Sequence, residues 1–335
     1  MKRVVFLDDL KESDIRPENI YNEYKEILNR DIQKYFSDPS ALIKIDCPGC
    51  SDKNSEFVFN KMGLDYRACN KCDSLFVSPR PSDDALRYFY KNSSAYLFLR
   101  KNILEKTVES RSKQIFSYRI QWIMGLVEEY LPDAEIYLDY VSKYPILLKQ
   151  LSNTGLFKSI VSVLPEFYEQ ENLLPKDIKI ISKNDMVEDS IDIFAAFEVV
   201  ERAFDPGKLF NEAYTACKKK GLFIITSATS SGFEYQVLGE YSPNVIPPDR
   251  LNLLSLEALT ALIEKAGFDT IEVSTPGRLD VEMVKRTYEK NPDIPLDHFW
   301  KYLFCNRGEN ALHSLQEYLQ KFRLSSHVRI AAIKR

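Results

Sequence analysis

Four of the six cysteines stand in two pairs, Cys47-Pro-Gly-Cys50 and Cys69-Asn-Lys-Cys72, with eighteen residues between them. A Cys-x-x-Cys pair folds into a tight knuckle that aims two thiolates at one ion. Two knuckles complete a tetrahedral sulfur shell, which suits Zn²⁺. Spacing alone does not separate zinc from a rubredoxin-type iron. Four thiolates leave no open coordination position, so Cys47, Cys50, Cys69 and Cys72 are expected to hold structure and not to carry a reaction. The short strands expected at Glu56–Phe59 and Tyr66–Ala68 make this a zinc ribbon, too small to fold without its metal.

The second chemical feature is Asp139 and the turn after it. Glu135 to Val141 reads as the opening strand of a doubly wound α/β domain, and a helix follows along Ile146 to Leu151. A nucleotide-type ligand usually sits at this turn, where glycines let the backbone bend and come close. Here the turn is Val141, Ser142, Lys143, Tyr144 and Pro145.

These residues need a frame. Further strands are expected at Ser159–Leu164, Ile178–Ser182, Ile191–Phe197, Gly221–Thr226, Thr270–Ser274 and His327–Ile333. Several are apolar throughout, as buried strands with helices on both faces should be. A helix over Pro206–Lys218 has Asp205 at its N-cap, and one over Ser255–Ala266 is capped by Ser255 and closed by Gly267. Long breaks at 227–254, read as a loop, and 276–326, with helices near Asp280–Glu289 and Ala311–Phe322, are suited to form a substrate wall. Ahead of this domain (132–335) come an N-terminal strand near Arg3–Leu7 and a helix over Pro17–Tyr35 (1–40). The ribbon (41–81) follows, and then connecting helices (82–131). The connecting region includes a long stretch at Glu105–Tyr130, with Phe116, Ile120, Ile123 and Val127 on one face. Arg80, in the stiff Ser78-Pro79-Arg80-Pro81 connector, is expected to anchor a loop.

Composition narrows the function. The chain has 335 residues, is 44% hydrophobic and carries a formal charge of −4. That charge argues against a general nucleic-acid binder, and the ribbon lacks a cationic stripe. No apolar run reaches the roughly 18 residues that span a bilayer. The first residues turn acidic too soon for a signal peptide, and paired rather than bridged cysteines fit a reducing, cytoplasmic setting.

With CPGC, YRACNKCDSLFVSPRPSDDALRYFY, IDIFAAFEVVERAFDPGKLFNEAYTACKKKGLFIITS and the distal SGFEYQVLGEYSPNVIPPDRLNLLSLEALTALIEKAGFDTIEVSTPGRLDVEMVKR, nearly the whole chain resembles class I S-adenosylmethionine-dependent methyltransferases that carry an N-terminal zinc module. These proteins are often linked to sugar and surface-glycan modification. The resemblance implies a Rossmann-like seven-stranded sheet with helical insertions. It also implies S-adenosylmethionine as cofactor and a sugar or nucleotide-sugar as acceptor. It places Asp139, Phe197 and Glu198 at the cofactor. It gives Glu201 the acceptor side, and Arg202 or Arg250 a substrate phosphate; Tyr235 and Tyr241 would line the acceptor pocket.

The departures fall on the cofactor site. Val141, Lys143 and Pro145 occupy the family's glycine positions. Leu164 stands where an acid usually holds the ribose, with Glu166 two residues on. Glu201-Arg202 and Asp249-Arg250 each replace an acid–histidine pair. The three histidines, His298, His313 and His327, are expected to be structural or solvated and away from the cofactor. Three readings follow: retained methyl transfer, a changed ligand or reaction, or a non-catalytic scaffold that pairs with a protein partner or with itself. An open pocket beside Asp139 favours the first. A pocket lined by Lys143 or Tyr144 favours the second. Side chains of Val141, Tyr144 and Pro145 filling the space favour the third.

Overall fold

The computed structural model describes residues 10–141, 144–164 and 174–335. The segment Arg3–Leu7, Ser142, Lys143 and Glu166 lie outside the described residues. Among the described residues thirteen strands run in chain order: β1 (Leu42–Ile43), β2 (Ser55–Lys61), β3 (Leu64–Cys69), β4 (Leu75–Val77), β5 (Arg80–Pro81), β6 (Ile136–Tyr140), β7 (Ser159–Val163), β8 (Ile178–Ile180), β9 (Ile191–Phe197), β10 (Cys217–Ala228), β11 (Asn252–Leu253), β12 (Phe268–Ser274) and β13 (His327–Lys334).

Seven of them form one mixed sheet, ordered β12-β13-β10-β9-β6-β7-β8. The strands from β8 to β10 are mutually parallel, and β13 runs antiparallel between β10 and β12. This is a Rossmann-like seven-stranded sheet, as the sequence led one to expect. Its strands are apolar on both faces because both faces are covered. On one side Leu138, Phe194 and Phe223 pack against Leu209, Phe210, Leu259 and Ile263 of the helices Pro206–Ala216 and Leu256–Lys265. On the other, Tyr137, Ile193 and Ile224 meet Ile123, Val127, Leu147 and Leu151 of the helices Ser117–Tyr130 and Pro145–Ser152. The expected caps hold: Asp205 accepts from the Lys208 amide at 3.0 Å and Ser255 from the Ala258 amide at 3.2 Å.

Three features differ from the sequence expectation. The stretch Glu105–Tyr130 is not one α-helix. It contains the π-helical segment Ser112–Phe116, and a second such segment, Leu99–Leu104, precedes it. The region 227–254 is not a plain loop, since it folds a short helix, Phe233–Leu238, and strand β11. The second insertion carries a further helix, His298–Asn306. The insertion helices build their own small core around Phe233, Val284, Ile294, Phe304 and Leu319. Among the described residues no helix is long and apolar enough to cross a membrane.

The ribbon is joined to the main domain through a shared sheet. Strand β11 pairs antiparallel with β4, giving the order β11-β4-β3-β2. Arg80 locks this joint. It is fully buried and donates to the carbonyls of Val77 (2.8 Å), Phe204 (3.1 Å) and Leu251 (3.2 Å) and to Asn252 Oδ1 (2.9 Å). It therefore anchors loops, as the sequence suggested. Arg80→Ala would strand several buried acceptors, at about 1–3 kcal/mol each. We expect a loss of about 3 kcal/mol or more, read from the urea midpoint at unchanged slope.

Candidate functional site

The four thiols meet the geometric test for one metal ion. Their sulfurs all lie within 4.8 Å of one another, with Cys47 Sγ to Cys72 Sγ and Cys50 Sγ to Cys69 Sγ both at 3.5 Å. Tetrahedral zinc with bonds of about 2.3 Å needs sulfurs spaced at nearly this separation. Cys47 and Cys69 are buried. The knuckles rest on the main domain: Gly49 faces Ala258 and Ser74, and the Ser255 amide donates to Ser74 Oγ at 3.0 Å. A Cβ added at Gly49 would meet both neighbours at 3.0 Å, so that one of them would have to give way.

A second site lies at the C-terminal edge of the parallel strands, where ligands of open α/β sheets bind. There a cavity of about 190 Å³ is closed on one side by the helical turns after Thr107 and on the other by the two insertions. Glu198, Glu201, Tyr235 and Arg250 all line it. Asp139 and Phe197 do not, and they are 2% and 0% exposed. Arg202 is also elsewhere. Its guanidinium donates to the Val141 carbonyl and lines a different cavity beside Tyr140 and Asp205, so neighbouring residues 201 and 202 point to opposite sides. Tyr241 lies in a surface cleft with Lys61 and Arg286, away from Tyr235.

The turn after β6 keeps a glycine's backbone without its glycine. Val141 has φ +54°, and Glu198, the residue after β9, also has a positive φ, +58°. A β-branched residue in the left-handed region is strained, and such strain gathers at functional sites. Tyr144 lines the cavity, and its hydroxyl donates to Glu198 Oε2 at 2.7 Å. Arg119 donates to the other oxygen, Oε1, at 3.0 Å and lies 4.5 Å over the Phe197 ring. Burial alone would raise the Glu198 carboxyl. The Arg119 charge, His327, the Tyr144 hydroxyl and Arg250 outweigh it and hold the group well below the usual carboxylate range. Burial together with Glu198 pushes the Tyr144 phenol up to about 12.

Glu201 has the opposite environment. It is fully buried, accepts from Ser227 Oγ at 3.1 Å and lies 3.4 Å from Arg250. Burial and the nearby Glu198 charge raise its carboxyl, while Arg250 and Ser227 only partly offset them. Two carboxylates with pKa values driven apart can divide acid and base roles.

His327 corrects the expectation that no histidine faces this edge. Strand β13 runs antiparallel, so its first residue lies where the parallel strands end, opposite Ala228 of β10. Its imidazole lines the cavity. Burial, reinforced by the charges of Arg119, Arg329 and Arg250 and opposed by Glu198, pushes it down to about 3, so it is neutral at physiological pH. Arg16, Arg111 and Arg119 also line the cavity and were not singled out in the sequence, whereas Tyr144 was, as a residue that could line or fill this space.

No family model matches the chain, and no curated protein matches it. Solved structures with partial likeness include geranyl diphosphate C-methyltransferase from Streptomyces coelicolor A3(2), at 12% identity over 73% of this chain and 85% of that one, TM-score 0.44. YcgJ from Bacillus subtilis shares 15% identity over 65% and 99% of the two chains, TM-score 0.42. Phosphoethanolamine N-methyltransferase 2 from Haemonchus contortus shares 17% identity over 63% and 51%, TM-score 0.41. These values carry no argument about activity. The fold rests on the chain's own strand order and register.

Proposed function

We propose that this chain is a methyltransferase-fold protein that binds a sugar or nucleotide-sugar in the cavity beside Glu201, Tyr235 and Arg250, while its own side chains fill the seat of the methyl donor. The four thiolates hold one Zn²⁺ in a structural role. The observation that carries this reading is the Arg119–Glu198–Tyr144 cluster. Both Glu198 oxygens are taken, a guanidinium covers Phe197, and Asp139 is buried. The cavity is lined by Tyr144 and not by Asp139. Calorimetric titration of zinc-loaded protein with S-adenosylmethionine and with its demethylated product is expected to give no heat of binding. Micromolar binding of either would overturn the reading.

A second reading, methyl transfer to a sugar hydroxyl, draws on Glu201. A buried carboxyl with a raised pKa at the cavity wall suits proton removal from such an acceptor. Label transfer from methyl-labelled cofactor to a nucleotide-sugar, lost in Glu201→Gln, would establish it in place of the first.

A further inference from the structure

The surface cleft that holds Tyr241 has a volume of about 400 Å³ and lies between the helix Glu18–Phe36, the β2–β3 hairpin of the ribbon and the two insertions. Its cations are of two kinds. At the rim Arg286 meets Glu12 at 3.2 Å and Glu18 at 3.0 Å, and Lys290 meets Glu18 at 2.5 Å, so these charges are matched. Lys25 and Lys61 are half-buried and have no such match. Among the described residues Lys61 Nζ donates only to the carbonyls of Glu240 (2.8 Å) and Ser242 (2.7 Å), which carry no net charge. Lys25 Nζ lies 5.6 Å from the centre of the Tyr21 ring and, among the described residues, forms no ion pair. Burial pushes the Lys61 ammonium down to about 8 and lowers that of Lys25 as well. Lys25 adds to the effect on Lys61, and Lys290 to that on Lys25, while Glu234, Glu240, Glu12 and Glu18 oppose it from a distance. Ammonium groups drawn out of water in this way are costly unless a counter-charge joins them.

Met62, Tyr241, Pro243, Ile246 and Ile294 line the same cleft, and both isoleucines are buried. Concave apolar surface with a few placed charges is the form of a small-molecule site. We infer that this cleft binds an organic acid with a flat apolar body, its carboxylate held between Lys25 and Lys61 and its body against Tyr241 and the two isoleucines. The N-terminal helix brings one ammonium and the ribbon hairpin the other. Lys61 has one N–H left after its two carbonyls, so it and Lys25 can each take one of a carboxylate's two oxygens. Small hydrated anions gain nothing from the apolar wall, so charge and apolar body are both required. The site is independent of the proposed function. Arg16 and Ser242 line both spaces, but neither lysine lines the inner cavity.

The test is calorimetric titration of the full zinc-loaded chain with naphthoate, with its neutral amide, and with acetate and inorganic phosphate. Naphthoate is expected to bind at least about tenfold more tightly than each of the other three. Lys25→Gln and Lys61→Gln, on different elements and each checked for a native circular dichroism spectrum, should each weaken naphthoate about tenfold, the loss expected for one charged hydrogen bond. Tyr235→Ala alters the inner cavity and not this cleft, so it should leave naphthoate affinity unchanged. Absence of naphthoate binding, equal binding of the amide or of either small anion, unchanged affinity in either folded lysine variant, or a loss confined to Tyr235→Ala would each overturn the inference.

Discussion

Chelating the metal from the four-cysteine centre is expected to unfold the ribbon and to weaken the distant cavity as well. A structural zinc contributes about 10 kcal/mol or more to the folding of a small module, because the apo module lacks a core of its own. Here the core around the centre is little more than Cys47, Cys69 and Phe76. The damage should spread along a defined chain of contacts. Strand β4, which follows the second knuckle, pairs with β11, and the Val77 amide donates to the Leu251 carbonyl at 2.9 Å. Tyr66 of β3 donates to the Arg250 carbonyl at 2.7 Å. Asn252 then ties β11 to the Val200 and Ala203 carbonyls at 3.0 and 2.7 Å, on either side of Glu201 and Arg202. Loss of the metal therefore releases Arg250 and the Glu201 turn together. Calorimetry should show a separate low-temperature transition in chelated protein and in Cys69→Ser, with ligand affinity lost in parallel. An unchanged melting profile after complete chelation would sink the structural role.

The same contacts explain what could be read in advance. The main strands were legible because burial on both faces makes them continuous apolar runs, and the helices because Asp205, Pro206, Ser255 and Gly267 mark their ends. Strand β11 was not legible. Two residues carry no period, and Asn252 and Leu253 become a strand only because β4 offers an edge. His327 was visible as the start of a strand. Its place in the cavity depends on that strand being antiparallel, a property of the assembled sheet. Arg111 and Arg119 were missed for a different reason. Helical periodicity assigns buried positions to apolar residues, and it correctly found Phe116, Ile120 and Ile123. It gives no means of expecting a guanidinium on the buried side; that of Arg119 is met chiefly by Glu198, just past the end of β9 and 79 positions away. The degenerate turn was plain in the sequence. That Val141 would still adopt a left-handed backbone was not.

Glu198→Ala should be the most destabilising single change at the cavity. It leaves the Arg119 guanidinium, 1% exposed, with only Thr226 Oγ1 at 3.5 Å and the Phe197 ring. Stranding a buried charge in this way costs about 3–5 kcal/mol. Arg119→Leu should cost less, about 2 kcal/mol, because Glu198 retains the Tyr144 hydroxyl and its side chain is 20% exposed, so water can reach it. The double variant should recover much of the loss, since an ion pair in a dry site is often no more stable than apolar side chains of similar volume. A double-mutant cycle by urea denaturation should therefore give a coupling of about 2 kcal/mol or more, and additive effects would show that the pair is not a unit. The pH dependence fixes the sign independently. The folded-state pKa of Glu198 is depressed, so its contribution is fully present above the ordinary carboxylate pKa of about 4.3 and is lost as pH falls toward the folded value. Wild type should lose this stability on acidification and Glu198→Gln should not, so the two curves converge at low pH. Neither Arg119→Leu nor the double variant is expected to gain S-adenosylmethionine binding. Emptying the space does not return glycine to position 141 or an acid to position 164, where the resemblance to the methyltransferase family would place donor contacts.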